Sequence, residues 1–136
     1  MTDSAPRPLP LNDVTMTDGF WRDRMNVNRE QTLPVIYERL KATGRIDCWR
    51  ANVPNEELHR HIFWDSDTAK WMEAAGFALM GGRDATLEAQ IDEIVDWMAT
   101  AQAPDGYLNS YFLFADPQGR WRNLRDNHEL YCAGHL

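Results

Sequence analysis

Apolar positions recur at helical spacing through most of the chain. From about Phe20 to Thr43, Phe20, Trp21 and Met25 share one face, and Leu33, Ile36, Tyr37 and Leu40 continue the repeat. Pro34 falls inside this stretch. It either kinks one helix or is an early residue of a second helix capped by Thr32. Gly44 is the stop signal. A second helix starts at a cap supplied by Asp65 or Ser66, with Asp67 near the positive end of its dipole. It carries one apolar stripe of Ala69, Met72, Gly76 and Leu79 and another of Trp71, Ala75 and Ala78, and Gly81-Gly82 ends it. A helix apolar on two faces requires neighbours on both. The third helix has the cleanest period. Leu87, Ile91, Ile94, Val95 and Met98 oppose Glu88, Gln90, Asp92, Glu93 and Asp96, with Asp84 as N-cap and Pro104-Asp105-Gly106 as the turn beyond.

Residues 103–126 then form a long aromatic connection holding Tyr107, Tyr111, Phe112, Phe114 and Trp121. Connections of this length are more often functional than passive. The β propensity of Tyr107 to Phe114 permits short strands there. A fourth helix opens near Asp126, where Asp126-Asn127-His128-Glu129 has the spacing of a capping box and Leu130 begins the apolar side. It runs into Leu136 with no stop signal, which predicts that the chain is the front of a longer protein. Residues 1–13 read as an irregular, Pro-containing arm and residues 14–136 as one folded body without repeats or linkers.

Composition narrows the function classes. The 136 residues are 43% hydrophobic and 26% charged, which fits a folded soluble protein rather than a disordered one. No apolar run approaches the ~20 residues of a membrane span, and the start has no signal-type apolar region. Lys and Arg number 14 against 21 Asp and Glu, a net charge of −7, with no basic cluster. Nucleic acids and anionic membranes are therefore poor partners. Cys48 and Cys132 lie far apart without metal-type spacing, so reduced thiols in a cytoplasmic protein are the expectation.

Several side chains are candidates for chemistry. Asp65, Asp67, Asp105 and Glu129 stand nearest loop mouths and helix starts, and glycoside hydrolysis commonly uses two carboxyl groups. Cap and dipole duties account for Asp65, Asp67 and Glu129 as well. His59 and His61 would share one side of an extended segment, but no third ligand is near, so they read as exposed loop histidines. His128 sits at a helix mouth beside the aromatic loop, where a neutral imidazole suits hydrogen bonding to a polar ligand; the alternative is a capping or core histidine. His135 lies two turns further on. Cys132 inside its helix reads as a buried structural thiol. Of the tryptophans, Trp71 and Trp97 belong to the core, whereas Trp49, Trp64 and Trp121 are freer to face a sugar ring.

Four segments together resemble glycoside hydrolase family 127, the β-L-arabinofuranosidase group. They are Val14-Thr15-Met16-Thr17-Asp18-Gly19-Phe20-Trp21, Asp65-Ser66-Asp67-Thr68-Ala69-Lys70-Trp71-Met72-Glu73-Ala74-Ala75, Ala101-Gln102-Ala103-Pro104-Asp105-Gly106-Tyr107-Leu108-Asn109-Ser110-Tyr111 and Asn127-His128-Glu129-Leu130-Tyr131-Cys132-Ala133-Gly134-His135-Leu136, in the family's order. The resemblance implies a mainly α fold, an (α/α)6 barrel of paired helices around a central pocket. The chain supplies three helices and the start of a fourth, hence an incomplete barrel. It also implies a retaining reaction that releases β-L-arabinofuranose, with a zinc-bound cysteine as nucleophile and a glutamate as acid/base. In the family those cysteines lie in a downstream Cys-Cys segment. This chain has none, so zinc is expected only in the full-length parent and no catalytic or metal-ligating residue is assigned here. His128 matches the motif histidine that contacts the sugar and is the expected substrate-binding residue. The implied partner is an arabinofuranoside-type carbohydrate; independently of the resemblance, a second helix apolar on two faces and a short fourth helix predict self-association of the segment. The alternative is a stand-alone helical carbohydrate-binding or interaction module without catalysis.

Overall fold

Helices carry nearly all of the regular structure. The computed structural model describes residues 6–136, and no β-strand occurs among them. Part of the irregular arm expected over residues 1–13 lies outside the described residues. Within the remainder, Leu11–Asp13 form a single 3-10 turn. No helix among the described residues is long and apolar enough to cross a membrane.

α1 (Gly19–Val27) continues through a π-helical turn (Asn28–Thr32) into α2 (Leu33–Ala42). The junction residues Val27, Asn28, Thr32 and Leu33 are all right-handed helical, and the Thr32 side chain caps nothing. One helix therefore passes through Pro34, and the wider turn sits where the missing proline N–H breaks the regular ladder. Gly44 ends α2 with φ 75°, and Arg45 N–H reaches back to Leu40 O at 2.9 Å.

A 3-10 turn at Asp47–Trp49 and the short α3 (Asn55–Leu58) lead to the central hairpin of α4 (Trp64–Met80) and α5 (Ala85–Ala101). Asp84 caps α5 as its sequence position predicts, accepting from Thr86 N–H at 3.0 Å and Leu87 N–H at 3.2 Å. Arg29, in the π turn, donates to Ala78 O, Gly82 O and Arg83 O, and so fixes the hairpin turn against the first helix.

The core joins Leu33 and Tyr37 of α2, Trp71 and Ala75 of α4, and Leu87 and Ile94 of α5 to Ile46, Cys48 and Trp49. Trp71 also donates its indole N–H to Leu33 O at 3.0 Å, so its one polar atom is satisfied inside the core. α4 packs against α2, α5 and a later helix, α7 (Glu129–His135), as its two apolar stripes require.

Three local expectations fail: neither Asp65 nor Ser66 caps α4, whose N-cap is Phe63, and two more lie further along the chain. Residues Ser110–Phe114 form a short helix, α6, rather than a strand, because the Asn109 side chain accepts from Phe112 N–H at 3.1 Å and starts a helical turn. The capping box at Asp126 does not form. The N-cap of α7 is His128; Asp126 instead pairs with Arg125, and Asn123 donates to it. Glu129 is drawn into the interior by partners distant in sequence.

Candidate functional site

α4 and α7 begin side by side, since Phe63 at the N-cap of α4 and His128 at the N-cap of α7 have ring centroids 5.8 Å apart. The 103–128 connection closes around this mouth, held by two buried carboxyl groups.

The first is Asp65. It does not cap α4, whose N-cap is Phe63; it is the second residue of the helix and is 1% exposed. Its carboxylate accepts the Ser110 N–H at 2.8 Å and the Ser110 hydroxyl. Burial pushes the Asp65 carboxyl up to about 6, opposed by the two Ser110 hydrogen bonds. Ser66 turns its hydroxyl to Phe63 O at 2.9 Å, and Asp67 pairs with Arg45 at 2.9 Å.

The second is Glu129, also 1% exposed. It accepts from the Tyr107 hydroxyl and, at 2.7 Å, from the Trp121 N–H. Burial, and then the Glu129 carboxylate, hold the Tyr107 phenol above its ordinary range. Arg120 lays its guanidinium 3.5 Å from the Tyr107 ring centroid and pairs with Asp105 at 2.9 Å.

His128 stands free of this network. Its backbone is left-handed with φ 51°, its side chain makes no capping hydrogen bond, and it is exposed. It belongs to a row of rings at the mouth. His61 meets Phe63 at 4.3 Å, His128 lies between Phe63 and Tyr131, and Tyr131 meets His135 at 4.8 Å. His59 and His61 are both exposed, as loop histidines should be.

The cysteines are not poised for chemistry. Cys48 is fully buried, directs its Sγ to Arg45 O at 2.8 Å, and burial holds its thiol well above the ordinary range. Cys132 directs its Sγ to Ile62 O at 3.4 Å and is pushed up to about 11, chiefly by burial. No three His, Cys, Asp or Glu are grouped as a metal site requires among the described residues. The donor set of these residues does not fit a zinc–thiolate centre.

The tryptophans divide differently from their expected roles. Trp49 is in the core at 0% exposure, and Trp64 is half-buried beneath the Arg45 guanidinium. Trp121 is 44% exposed and lines a cleft of about 360 Å³ together with Tyr107, Asn109 and Glu129. The residues that local reasoning missed are Tyr107, Ser110, Arg120 and Arg60. Arg60 is buried and donates to Cys48 O, Arg50 O and Val53 O. Tyr107 carried a local signal as part of the aromatic connection, and Ser110 as the neighbour of a capping asparagine.

Comparison with known proteins places this arrangement. The family described as the β-L-arabinofuranosidase GH127 catalytic domain matches residues 13–136. The non-reducing end β-L-arabinofuranosidase of Bifidobacterium longum subsp. longum is 30% identical over an alignment covering 90% of this chain and 22% of that protein. The crystal structure of a GH127 β-L-arabinofuranosidase from Geobacillus stearothermophilus T6 superposes with a TM-score of 0.81 at 38% identity, covering 89% of this chain and 20% of that one. A further GH127 β-arabinofuranosidase of known structure gives a TM-score of 0.79 at 30% identity over 94% of this chain and 22% of its own.

Proposed function

Since the chain belongs to the GH127 β-L-arabinofuranosidase catalytic-domain family, we propose that it is the N-terminal part of a glycosidase acting on arabinofuranosides, with His128 as a sugar contact. The chain spans 20–22% of the length of the relatives it matches, so the rest of an (α/α)6 barrel is taken to come from residues beyond this segment. The observation that carries the reading is the state of His128. It is exposed at the shared mouth of α4 and α7, bordered by Phe63 and Tyr131, and its side chain caps nothing. An imidazole relieved of structural duty and flanked by rings is suited to hold a hydroxyl group of a ligand.

The proposed nucleophile and its zinc lie outside this chain, because Cys48 and Cys132 are buried thiols turned to backbone carbonyls. Zinc would supply a deprotonated, positioned sulfur to the whole enzyme. This segment contributes substrate contact and the wall of the site. The test is kinetic. In the whole protein, His128→Ala should lower kcat/KM on a β-L-arabinofuranoside by roughly 10- to 100-fold, the loss of one or two good hydrogen bonds. Unchanged kinetics with unchanged melting would make His128 a helix-end residue and nothing more.

A further inference from the structure

Three non-glycine residues among the described ones hold a left-handed backbone: His59, Trp121 and His128. Two of them stand at the ends of one closed span. The Trp121 N–H donates to the Glu129 carboxylate at 2.7 Å, so residues 121–129 form a ring shut by a single side chain. Inside it the chain folds on itself, with Asn127 N–H on Asn123 O at 3.1 Å and Asp126 N–H on the Asn123 side-chain oxygen at 3.2 Å. The reversal is taken up where the ring closes, at Trp121 with φ 62° and at His128 with φ 51°. Residues with a Cβ keep such a backbone only where the surroundings over-determine it, and they gather at functional sites.

Glu129 supplies that constraint. One of its oxygens takes the Trp121 N–H and the other the Tyr107 hydroxyl, so the carboxylate is held at both ends. Tyr107 is itself a fixed post. Its ring lies under the Arg120 guanidinium at 3.5 Å, Arg120 pairs with Asp105 at 2.9 Å, and Asp105 accepts the Tyr107 N–H at 3.1 Å. The His128 carbonyl in turn accepts the Cys132 N–H at 2.9 Å, the first bond of α7. His128 is therefore confined between a tight turn before it and a pinned side chain after it, while its own side chain caps nothing. That backbone sets the imidazole between Phe63 and Tyr131, at centroid distances of 5.8 and 5.9 Å. We propose that Glu129, seconded by Tyr107, is the positioning residue of His128, and that its two contacts hold the strained backbone which presents the imidazole at the mouth. Glu129 is 1% exposed and acts through its neighbour. The hold on His128 is a matter of geometry; its consequence for catalysis rests on the glycosidase reading above.

A cycle of variants in the whole protein tests this. On a β-L-arabinofuranoside, Glu129→Ala should lower kcat/KM by roughly tenfold or more. In a His128→Ala background it should change kcat/KM by less than about twofold, because the contact it positions is already gone. A change that only destabilises lowers the active fraction by the same factor in both backgrounds. Glu129→Gln keeps the length and an acceptor for the Trp121 N–H, and should stay within about threefold of the wild type. Asp84→Ala, which removes the cap of α5, should leave kcat/KM unchanged. Crystals of Glu129→Ala should show His128 at negative φ with its ring displaced from Phe63. Tyr107→Phe deletes one contact and keeps the ring under Arg120. It should cost about threefold, again only where His128 is present, and it carries both measurements should Glu129→Ala not fold. A wild type that hydrolyses no arabinofuranoside would sink the glycosidase reading, and the crystal structures of the variants would still decide the positioning. The proposal is overturned if His128 keeps φ near 51° and its place beside Phe63 in both variants, or if the Glu129→Ala loss multiplies undiminished onto that of His128→Ala.

Discussion

The Asp65 carboxylate accepts both the N–H and the hydroxyl of Ser110, and so binds the first turn of α4 to the first turn of α6 across 45 residues of sequence. The contact is buried, and ionisation there is penalised: the carboxyl is lifted to about 6, against about 3.9 in an unfolded chain. Between those values the native state holds more protons than the unfolded state. This group's contribution is therefore fullest below about pH 4 and is lost as pH rises through about 6. The difference amounts to about 3 kcal/mol at neutral pH. Asp65→Asn keeps an acceptor for Ser110 and removes the charge. Denaturant unfolding at several pH values between acid and neutral should show the wild type losing stability relative to Asp65→Asn as pH rises. Parallel curves for the two proteins would mean that Asp65 titrates normally.

Glu129 and Asp84 are both acidic residues at helix starts, and removing them should have unequal effects. Asp84 accepts two backbone N–H groups at the exposed start of α5, and Asp84→Ala should cost about 1 kcal/mol. Glu129→Ala strands the buried Tyr107 hydroxyl and the Trp121 N–H together, a loss on the order of 3 kcal/mol. Urea unfolding of both variants checks the ranking, and equal losses would show that the Tyr107–Glu129 contact is not formed in solution.

That contrast also explains what was legible beforehand. The apolar period of Leu87 and Ile94, the Asp84 cap and the Gly44 and Gly81 stops are local features, recorded within a turn or two of the chain, and the structure keeps them all. Asp65 and Glu129 also look like local caps, because an acid at a helix start is the commonest cap. Their actual partners, Ser110 and Tyr107, stand 45 and 22 residues away. No periodicity encodes such a pairing. The strand propensity of Tyr107 to Phe114 likewise yields to a single hydrogen bond, in which the Asn109 side-chain oxygen accepts the Phe112 N–H. The family resemblance located His128 without showing why it is free, which is that Glu129 takes the inward position beside it.

His128 allows stability and recognition to be separated. Its left-handed backbone, φ 51°, disfavours any residue with a Cβ by about 1 kcal/mol or more. His128→Gly should therefore gain about 1 kcal/mol in chemical unfolding while losing as much kcat/KM as His128→Ala. A glycine variant no more stable than the alanine variant would mean that the backbone at this position is not left-handed in solution.

The isolated segment should self-associate. Phe20 and Trp21 are 62% and 65% exposed, Phe77 on α4 is 54% exposed, and Leu130 on α7 is 57% exposed. Val35 and Ile36 add apolar surface on α2. Apolar area left open on several helices at once exceeds the scattered exposure normal for a monomer and marks an association surface. Sedimentation velocity of residues 1–136 should show concentration-dependent oligomers and binding of a hydrophobic dye. Phe77→Glu, which places a charge on the open side of α4, should weaken both without unfolding the core, since Phe77 is absent from the buried cluster around Trp71. A clean monomer with a sharp, cooperative melt would remove the case for a segment that needs the rest of a barrel. It would favour a helical module that stands alone.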